Sequence, residues 1–374
     1  MIKTFKVKGF KNFKDELIFD FTSGNYEYNT DAIQDNLVKD SLIYGDNASG
    51  KSNLGLALMD IVSHLTDKHI RREEYDKHYL NLDSDIDIAE FEYTFQFDKD
   101  ELIYRYKKSS FLRLVEEIVL INGIPVIDSR QKNEREKATL KGTEHLTFDF
   151  DTEDLSLVKY IRNNTALNPK TDKNVEVFLL FMDFVNRMLS FDSLDGNRYR
   201  GFKTGSESIA SAIIETGNLS NYNQFLKDLG IDYNLFEKEV DGEKKIYVKF
   251  ESGKEVEFWG IMSKGTRSLT LFFYWYLSFE KEVRFVFMDE FDAYFHNDVS
   301  REIIKRLIKI PSLQLVITTH NTTNMSNTLL RPDCYYIIED NEISSLSNKT
   351  DMVIRKTQNL EKMYRTGFFA DVRS

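Results

Sequence analysis

Eight consecutive residues combine glycines, a lysine and a hydroxyl in an arrangement suited to binding phosphate. They match the pattern G-x-x-x-x-G-K-[ST] at every fixed position and read Gly45-Asp46-Asn47-Ala48-Ser49-Gly50-Lys51-Ser52. The glycines allow successive backbone N–H groups to close around phosphate oxygens, the lysine reaches the β and γ oxygens, and the serine hydroxyl can bind Mg²⁺. The segment therefore predicts a phosphate-binding loop, or P-loop, for a nucleoside triphosphate.

A P-loop needs a strand before it and a helix after it, and the flanking residues supply both. Residues 41–44 form an apolar run, and residues 52–62 are apolar at helical spacing. The N-terminus of this helix, at Ser52 and Asn53, would add its partial positive charge to the phosphate site. A glycine-containing loop without a ligand is the alternative, but chance matches mostly lack these flanking elements.

Two carboxylates far downstream can complete such a site. Residues 285–288 are continuously apolar, which is typical of a central strand buried on both faces, and they end in Asp289 and Glu290. Asp289 can hold Mg²⁺, while Glu290 can accept a proton from the water that attacks the γ-phosphate. The pair therefore reads as a Walker B motif. A strand end followed by a helix N-cap is the alternative for such a pair.

His320 follows a further apolar run, residues 313–319, and is a candidate sensor of the γ-phosphate. One helix, at residues 300–310, and one strand separate it from Glu290, which places it on the neighbouring strand of a parallel sheet. An imidazole there can donate a hydrogen bond to the terminal phosphate. Together with Lys51 and Glu290, His320 completes the expected catalytic set.

Residues 262–268, Met-Ser-Lys-Gly-Thr-Arg-Ser, precede an aromatic-rich helical run over residues 269–279. The order of P-loop, long insertion, Ser-x-Gly turn, Walker B strand and histidine resembles that of ABC-type ATPases, and residues 263–266 resemble their signature motif. The resemblance implies that Ser263 and Gly265 of one subunit cap the nucleotide held by another. It implies a homodimer, or a higher homo-oligomer built from dimers. Alone, a Ser-x-Gly-Thr turn is a common helix cap.

Two further stretches are similar to the RecF and SMC branch of that class. Residues 8–15 resemble its "x-N-F-[KR]-x-F" opening, which implies that Lys11 approaches the phosphates. An alternating strand with outward lysines gives nearly the same sequence. Residues 289–293 resemble the SMC-type D-loop, which implies that Asp292 connects the two nucleotide sites. Residues 294–296 are similar to the segment after Walker B in overcoming-lysogenisation-defect ATPases.

The middle of the chain lacks the long heptad coiled coil of SMC proteins. Residues 88–127 alternate like antiparallel strands and contain an Asn122-Gly123 turn. A hairpin is predicted over residues 246–258. Two amphipathic helices are predicted over residues 175–191 and 219–229. This pattern suits a compact ATPase head with a β-lobe and a helical lobe.

We therefore expect an α/β fold of the ABC-type ATPase head. Its mixed central sheet would be flanked by helices, with an antiparallel β-lobe and a helical lobe inserted between the P-loop and the signature motif. The expected divisions are a nucleotide-binding core at residues 1–62 and 260–350, inserted lobes at 63–259, and a C-terminal tail at 351–374. The cofactors that the resemblance implies are ATP and Mg²⁺.

Composition limits the class of protein. The net charge of −11 argues against a surface dedicated to wrapping nucleic acid, although a local basic groove for DNA stays open. The single cysteine, Cys334, excludes an internal disulfide and a cysteine-rich zinc site. The N-terminus alternates like a strand, and no apolar run approaches a membrane span. We expect a cytoplasmic protein without a membrane partner.

Other polar residues offer weak site candidates. Asp83-Ser84-Asp85 has the D-x-D spacing of a metal site and is interpreted as a solvated turn. Three histidines lie among charged residues and are interpreted as surface residues: His64, His69 and His78. The glutamine that contacts Mg²⁺ in ABC-type sites has two candidates, Gln96 and Gln131, and neither is preferred.

The end of the chain suggests a biological setting. Only 54 residues follow His320, too few for the Toprim domain of overcoming-lysogenisation-defect proteins. Residues 360–369 resemble the "[LM]-Y-x-x-G-x-[FY]" ending of stand-alone ATPases of antiphage systems, including abortive-infection and PARIS-type ATPases. The resemblance implies a switch that senses a phage-derived trigger and controls a separate effector, a nuclease or toxin. Two alternatives remain open: a RecF-like repair ATPase that clamps DNA, and an ATP-dependent scaffold with incidental turnover.

Overall fold

The structure is a computed structural model that describes residues 1–66, 68, 75, 77–129, 137–146, 156–192, 198–201 and 209–370. Its strands are β1 Ile2–Lys8, β2 Leu17–Asp20, β3 Ile33–Gln34, β4 Leu37–Val38, β5 Asp40–Tyr44, β6 Ala89–Phe97, β7 Asp100–Lys108, β8 Leu114–Ile121, β9 Ile124–Asp128, β10 Lys137–Ala138, β11 Met188–Asp192, β12 Arg198–Gly201, β13 Leu235–Val240, β14 Glu243–Lys249, β15 Glu255–Glu257, β16 Phe285–Asp289, β17 Gln314–Thr318, β18 Tyr335–Glu339 and β19 Glu342–Ser345. Its helices are α1 Lys51–Leu65, α2 Leu157–Asn164, α3 Lys173–Asn186, α4 Ile209–Glu215, α5 Leu219–Asp228, α6 Phe258–Ile261, α7 Lys264–Glu282, α8 Asn297–Ile308 and α9 Leu360–Arg365.

A mixed central sheet positions the chemically useful residues. Its strand order is β12-β11-β16-β17-β5-β18-β19, with five parallel inner strands and an antiparallel strand at each edge. Every residue of β5, β16 and β17 is buried, as expected for strands covered on both faces. Because parallel strands end at the same edge, the P-loop, the two carboxylates and His320 are brought together there. The predicted fold class is confirmed.

The β-lobe is a seven-stranded antiparallel sheet in the order β10-β9-β8-β7-β6-β1-β2. Its β8–β9 hairpin turns at Asn122 and Gly123, whose φ angles of 50° and 80° are those of a tight hairpin turn. The strands predicted within residues 88–127 are confirmed as β6 to β9. A smaller sheet, β13-β14-β15, contacts α4 and α6 in the helical lobe, where α5 packs on α7.

Each of the two large sheets contains strands from both sides of the boundaries expected from the sequence. β1 and β2, assigned to the nucleotide-binding core, pair with the β-lobe through β6. β11 and β12, assigned to the inserted lobes, extend the central sheet by pairing with β16. Residues 1–62 and residues 63–259 therefore both contribute strands to both large sheets.

The helix predicted over residues 175–191 is shorter than expected. α3 ends at Asn186, and β11 begins at Met188, beside β16 in the central sheet. The run Met188–Phe191 is fully buried, so parallel pairing and burial override a local pattern that also suits a helix. The second predicted helix, residues 219–229, is confirmed as α5.

A buried polar network joins α1 to the β-lobe. The Asp60 carboxylate accepts hydrogen bonds from the Lys108 ammonium at 3.0 and 3.2 Å and from the Tyr79 and Tyr106 hydroxyls at 3.0 Å each. His64, one turn further along α1, has its Nε2 2.9 Å from the Tyr104 hydroxyl. Burial holds the pKa of His64 well below its ordinary value.

The surface interpretation of His64 is therefore wrong, because the residue lies on the buried face of α1 with Asp60. His78 is exposed as expected, and His69 lies outside the described residues. In the described part of the chain, we find no helix with the length and apolar character needed to cross a membrane.

The first residue of β5 carries a buried carboxyl group. Asp40 is fully buried, and its Oδ2 lies 3.3 Å from the Lys39 ammonium. Burial raises the pKa of Asp40 to about 8, and the neighbouring lysine offsets only part of that rise. Asp40 therefore keeps its proton in the folded chain at pH values where the unfolded chain has lost it.

We expect Asp40→Asn to remove part of the pH dependence of stability. A raised folded-state pKa favours the folded chain at low pH, and this contribution is lost as the pH rises from 3.8 toward about 8. The amide stays neutral, so the free energy of unfolding at pH 8 should increase by about 1–3 kcal/mol relative to wild type. Urea unfolding at pH 4.5 and pH 8 measures the change over most of the titration window. Asp351→Asn, at an exposed position, is the control, and identical pH profiles for Asp40→Asn and wild type would contradict the assignment.

Candidate nucleotide-binding site

The P-loop lies between β5 and α1, and two of its glycines are required by close contacts. A Cβ atom on Gly45 would lie 2.5 Å from the Ile338 carbonyl oxygen in β18. Gly50 has a φ of 99°, and a Cβ atom there would lie 2.5 Å from Nδ2 of Asn12. The loop is therefore enclosed by β18 on one side and by the N-terminal turn on the other.

Lys51 begins α1 and lies across the loop that precedes it. Its Nζ donates hydrogen bonds of 2.9 Å to the carbonyl oxygens of both Gly45 and Asp46. Burial lowers the pKa of Lys51, while the carboxylates of Glu290 and Asp289 raise it. An anion held by the loop would meet this ammonium group, the helix N-terminus and the exposed Ser52 hydroxyl.

The two Walker B carboxylates are held by the neighbouring strand. Thr318, at the end of β17, donates a hydrogen bond of 2.6 Å to Oδ1 of Asp289. The same Thr318 oxygen accepts the N–H of Glu290 at 2.8 Å, and Glu290 adopts a left-handed φ of 45°. His320 Nε2 lies 3.5 Å from Oε1 of Glu290. As the sequence spacing predicted, His320 and Glu290 sit on adjacent strand ends.

The Asp292 carboxylate accepts hydrogen bonds from side chains of its own chain. The donors are the Thr319 hydroxyl, at 2.8 and 2.9 Å, and the Ser300 hydroxyl, at 3.1 Å. Burial raises the pKa of Asp292, although these hydrogen bonds act in the opposite direction. The loop after β16 is thereby tied to the end of β17 and to α8.

The signature-like segment forms a helix N-terminus. Ser263 is the N-cap of α7, and its Oγ accepts the N–H of Thr266 at 3.0 Å. A Cβ atom on Gly265 would lie 2.9 Å from the Tyr294 carbonyl oxygen, so glycine allows α7 to begin against the loop after Walker B. Ser263 is exposed.

The N-terminal turn contributes a residue that the sequence did not single out. Asn12 accepts a hydrogen bond of 2.6 Å from the side chain of Asn53 and donates one of 2.8 Å to Asn341, in the β18–β19 turn. Lys11, the predicted residue, has a φ of 48° and is 6% exposed, and its Nζ lies 5.8 Å from the centre of the Phe10 ring. Asn12 is therefore the residue of this turn that we find bonded to α1.

The C-terminal tail also lies beside the P-loop. A cleft of about 570 Å³ runs along P-loop residues 45–49, and its opposite wall includes Tyr364 and Phe369. Arg365 and Glu361 of α9 both bond to the hydroxyl of Thr322, which lies two residues after His320. The tail is thus fixed to the loop that carries the histidine, an arrangement that the tail sequence alone did not indicate.

The residues present fit a magnesium ion that is held partly by phosphate. Ser52, in the first turn of α1, and Asp289, at the end of β16, supply a hydroxyl and a carboxylate, which are oxygen ligands of the kind that Mg²⁺ prefers. Among the residues that the structure describes, no cluster of three or more His, Cys, Asp or Glu side chains could hold a metal on its own. Gln96 donates instead to the carbonyls of Asp98 and Asp100 in its own hairpin, and Gln131 lies outside the described residues.

Gly55 lets α1 lie directly on the strand that ends in the carboxylates. A Cβ atom on Gly55 would overlap the ring of Phe287, a buried residue of β16. This close approach places the first turn of α1, with Lys51 and Ser52, beside the strand that carries Asp289.

We expect Gly55→Ala to destabilise the fold and weaken nucleotide binding. Forcing a methyl group into this packed contact costs about 1–3 kcal/mol, which exceeds the roughly 1 kcal/mol that alanine gains in helix propensity. Phe287→Val removes the ring, so the double variant has room for the methyl group. The two changes in unfolding free energy should fall short of additivity by about 1 kcal/mol or more in a double-mutant cycle. Additive changes would show that this contact does not position α1.

Comparisons with known proteins give one family match and distant structural likenesses. A family model described as "AAA domain, putative AbiEii toxin, Type IV TA system" matches residues 41–326. A comparison with curated proteins finds no match. Among solved structures, the chain is similar to the SMC head domain from Thermotoga maritima, at 16% identity and a TM-score of 0.46, over 92% of this chain and 98% of that one. An Smc head domain with an extended coiled coil, bound to the C-terminal domain of ScpA and derived from Pyrococcus furiosus, has 13% identity and a TM-score of 0.44, over 93% and 96%.

Proposed function

This chain belongs to the AAA-domain family whose model matches residues 41–326, and we propose that it binds and hydrolyses ATP as a switch. The observation that carries the proposal is the convergence of Lys51, the two Walker B carboxylates and His320 at one edge of the central sheet. These residues come from three parallel strand ends, where a phosphate chain and its cation can be held between opposite charges.

Each residue has a distinct proposed role. Lys51 and the P-loop N–H groups hold the β- and γ-phosphates, and Ser52 and Asp289 hold Mg²⁺. Bound Mg-ATP supplies the phosphoanhydride bond that is broken. Glu290 accepts a proton from the attacking water, and the His320 imidazole donates a hydrogen bond to a γ-phosphate oxygen. Lys11, in the same turn as Asn12, approaches the phosphates from the N-terminal side.

The proposed switch is assembled from two chains. Ser263 and Gly265 lie at an exposed N-terminus of the 19-residue helix α7, which suits an anion held by a second copy. Trp259 and Ile261 just before it are 38% and 40% exposed, and Tyr294 after Walker B is 38% exposed. Exposed apolar side chains around a charged site favour a subunit interface. Asp292 would connect the two sites across it.

We place the switch in antiphage defence, as control of a separate effector. Support comes from the family description, which names an AbiEii toxin and a type IV toxin–antitoxin system, and from the resemblance of the tail to defence ATPases. In this proposal a phage-derived trigger changes the nucleotide state, and a nuclease or toxin is held or released. Affinity capture of the native protein before and after phage infection, followed by mass spectrometry, tests whether an effector partner changes with infection.

A RecF-like clamp on DNA is the second candidate function. It predicts ATP-stimulated DNA binding that weakens steeply with salt, and the net charge of −11 disfavours it. An assembly scaffold is the third, and it predicts that a hydrolysis-deficient chain still assembles and functions normally. Electrophoretic mobility shifts at two salt concentrations test the DNA clamp. Phage plaque counts with the hydrolysis-deficient chain test the scaffold.

We expect Glu290→Gln to retain ATP binding, to lose hydrolysis by about 100-fold or more, and to accumulate an ATP-bound dimer. Lys51→Ala should lose binding free energy by about 1.5–3 kcal/mol, because a charge-assisted contact to phosphate is removed. Fluorescent-nucleotide titration, phosphate release and light scattering measure the three quantities. Glu251→Gln makes the same chemical change at an exposed turn and should match wild type. A Glu290→Gln chain that stays strictly monomeric in saturating Mg-ATP would refute the shared site.

A further inference from the structure

We infer that Thr318 is a positioning residue for hydrolysis, because one hydroxyl group orients both Walker B carboxylates. The inference rests on the proposed ATPase function and adds a residue outside the P-loop, the Walker motifs and the signature. Thr318 closes β17, between β16 and β5, and is fully buried. It lies two residues before His320 and bonds to Asp289 and to the backbone of Glu290.

The geometry uses both hydrogen-bonding capacities of the hydroxyl. Its proton goes to Oδ1 of Asp289 at 2.6 Å, and its lone pair accepts the Glu290 N–H at 2.8 Å. With Oδ1 engaged by Thr318, Oδ2 is the oxygen of Asp289 that would hold the proposed Mg²⁺. The threonine Cβ branch restricts rotation about χ1, so burial and branching together hold the oxygen in place.

Of the two hydrogen bonds of Thr318, the one to the Glu290 N–H holds a backbone conformation that is unfavourable by itself. Glu290 has a φ of 45°, a left-handed conformation that costs a residue with a Cβ atom on the order of 1 kcal/mol or more. The hydrogen bond from its N–H to Thr318 stabilises this conformation directly. Without that bond, the backbone at Glu290 is free to relax, and its carboxylate would leave the position beside His320.

The hydroxyl of the adjacent Thr319 also both donates and accepts a hydrogen bond. It donates to the Asp292 carboxylate and accepts the N–H of Asn321. Two consecutive threonines thus connect the end of β17 with the whole loop from Asp289 to Asp292. Thr318 is the one that reaches the proposed cation ligand and the proposed base.

Two substitutions of Thr318 separate the hydroxyl from the shape of the side chain. Thr318→Val keeps the shape and loses the hydroxyl, whereas Thr318→Ser keeps the hydroxyl. The matched control is Thr143→Val in the β-lobe. Thr143 is also buried, and its hydroxyl donates a hydrogen bond of 2.7 Å to the Leu140 carbonyl. All three variants are compared with wild type by thermal unfolding.

The decisive readout is the gain in ATP affinity on adding Mg²⁺, measured with fluorescent ATP in Mg²⁺ and in EDTA. We expect Thr318→Val to bind ATP normally in EDTA, to lose most of the Mg²⁺-dependent gain, and to hydrolyse ATP about 10- to 100-fold more slowly. Thr318→Ser should recover most of both losses. Thr143→Val should keep the wild-type Mg²⁺ gain at a similar loss of stability.

A wild-type Mg²⁺ gain and hydrolysis rate in Thr318→Val would overturn the inference and leave the ATPase proposal intact. Equal losses in Thr318→Val, Thr318→Ser and Thr143→Val would also overturn it, because they would reflect stability alone. Wild-type protein that neither binds nor hydrolyses ATP would instead refute the proposed function, and the inference would fall with it.

Discussion

The alignment of three parallel strand ends is the constraint on which the site depends. The registers place Met288 of β16 opposite Ile317 of β17, and Ile317 opposite Leu42 of β5. Parallel strands cannot be joined by a tight turn, so each connection is long and carries other elements, such as α8 between β16 and β17. A slip of one residue would turn every side chain of the strand to the opposite face and separate Thr318 from Asp289. The register of the sheet is therefore part of the geometry of the candidate site.

Around those strand ends, segments from both ends of the chain meet. Asn12 from the N-terminal turn, Asn53 from α1 and Asn341 from the β18–β19 turn form one chain of side-chain hydrogen bonds. The tail adds a further wall through Tyr364. The P-loop is local in sequence, but its surroundings are assembled from parts separated by more than three hundred residues. Close approaches at glycine, such as Gly45 against β18, make this assembly tight.

Local patterns were enough to predict the P-loop, the Walker B strand and the hairpins of the β-lobe. Each depends on neighbouring residues, either through turn chemistry or through a run of apolar side chains. β11 was missed because its partner, β16, is almost a hundred residues away and its sequence also suits a helix. The roles of Thr318 and Asn12 depend on which strands become neighbours, so no local pattern reveals them. His64 was misplaced because the predicted helix ended at residue 62, whereas α1 continues to Leu65 and includes His64.

The buried network at Asp60 has a mechanical consequence. Breaking a buried ion pair such as that of Asp60 and Lys108 costs about 3–5 kcal/mol when one partner is left unpaired, well above thermal energy. Tyr79, in the segment between α1 and β6, and Tyr106, in β7, donate hydrogen bonds to the same carboxylate. α1 and the β-lobe sheet are therefore joined by a contact that is costly to break. A rotation of α1 that kept this ion pair intact would have to move β7 of the β-lobe with it.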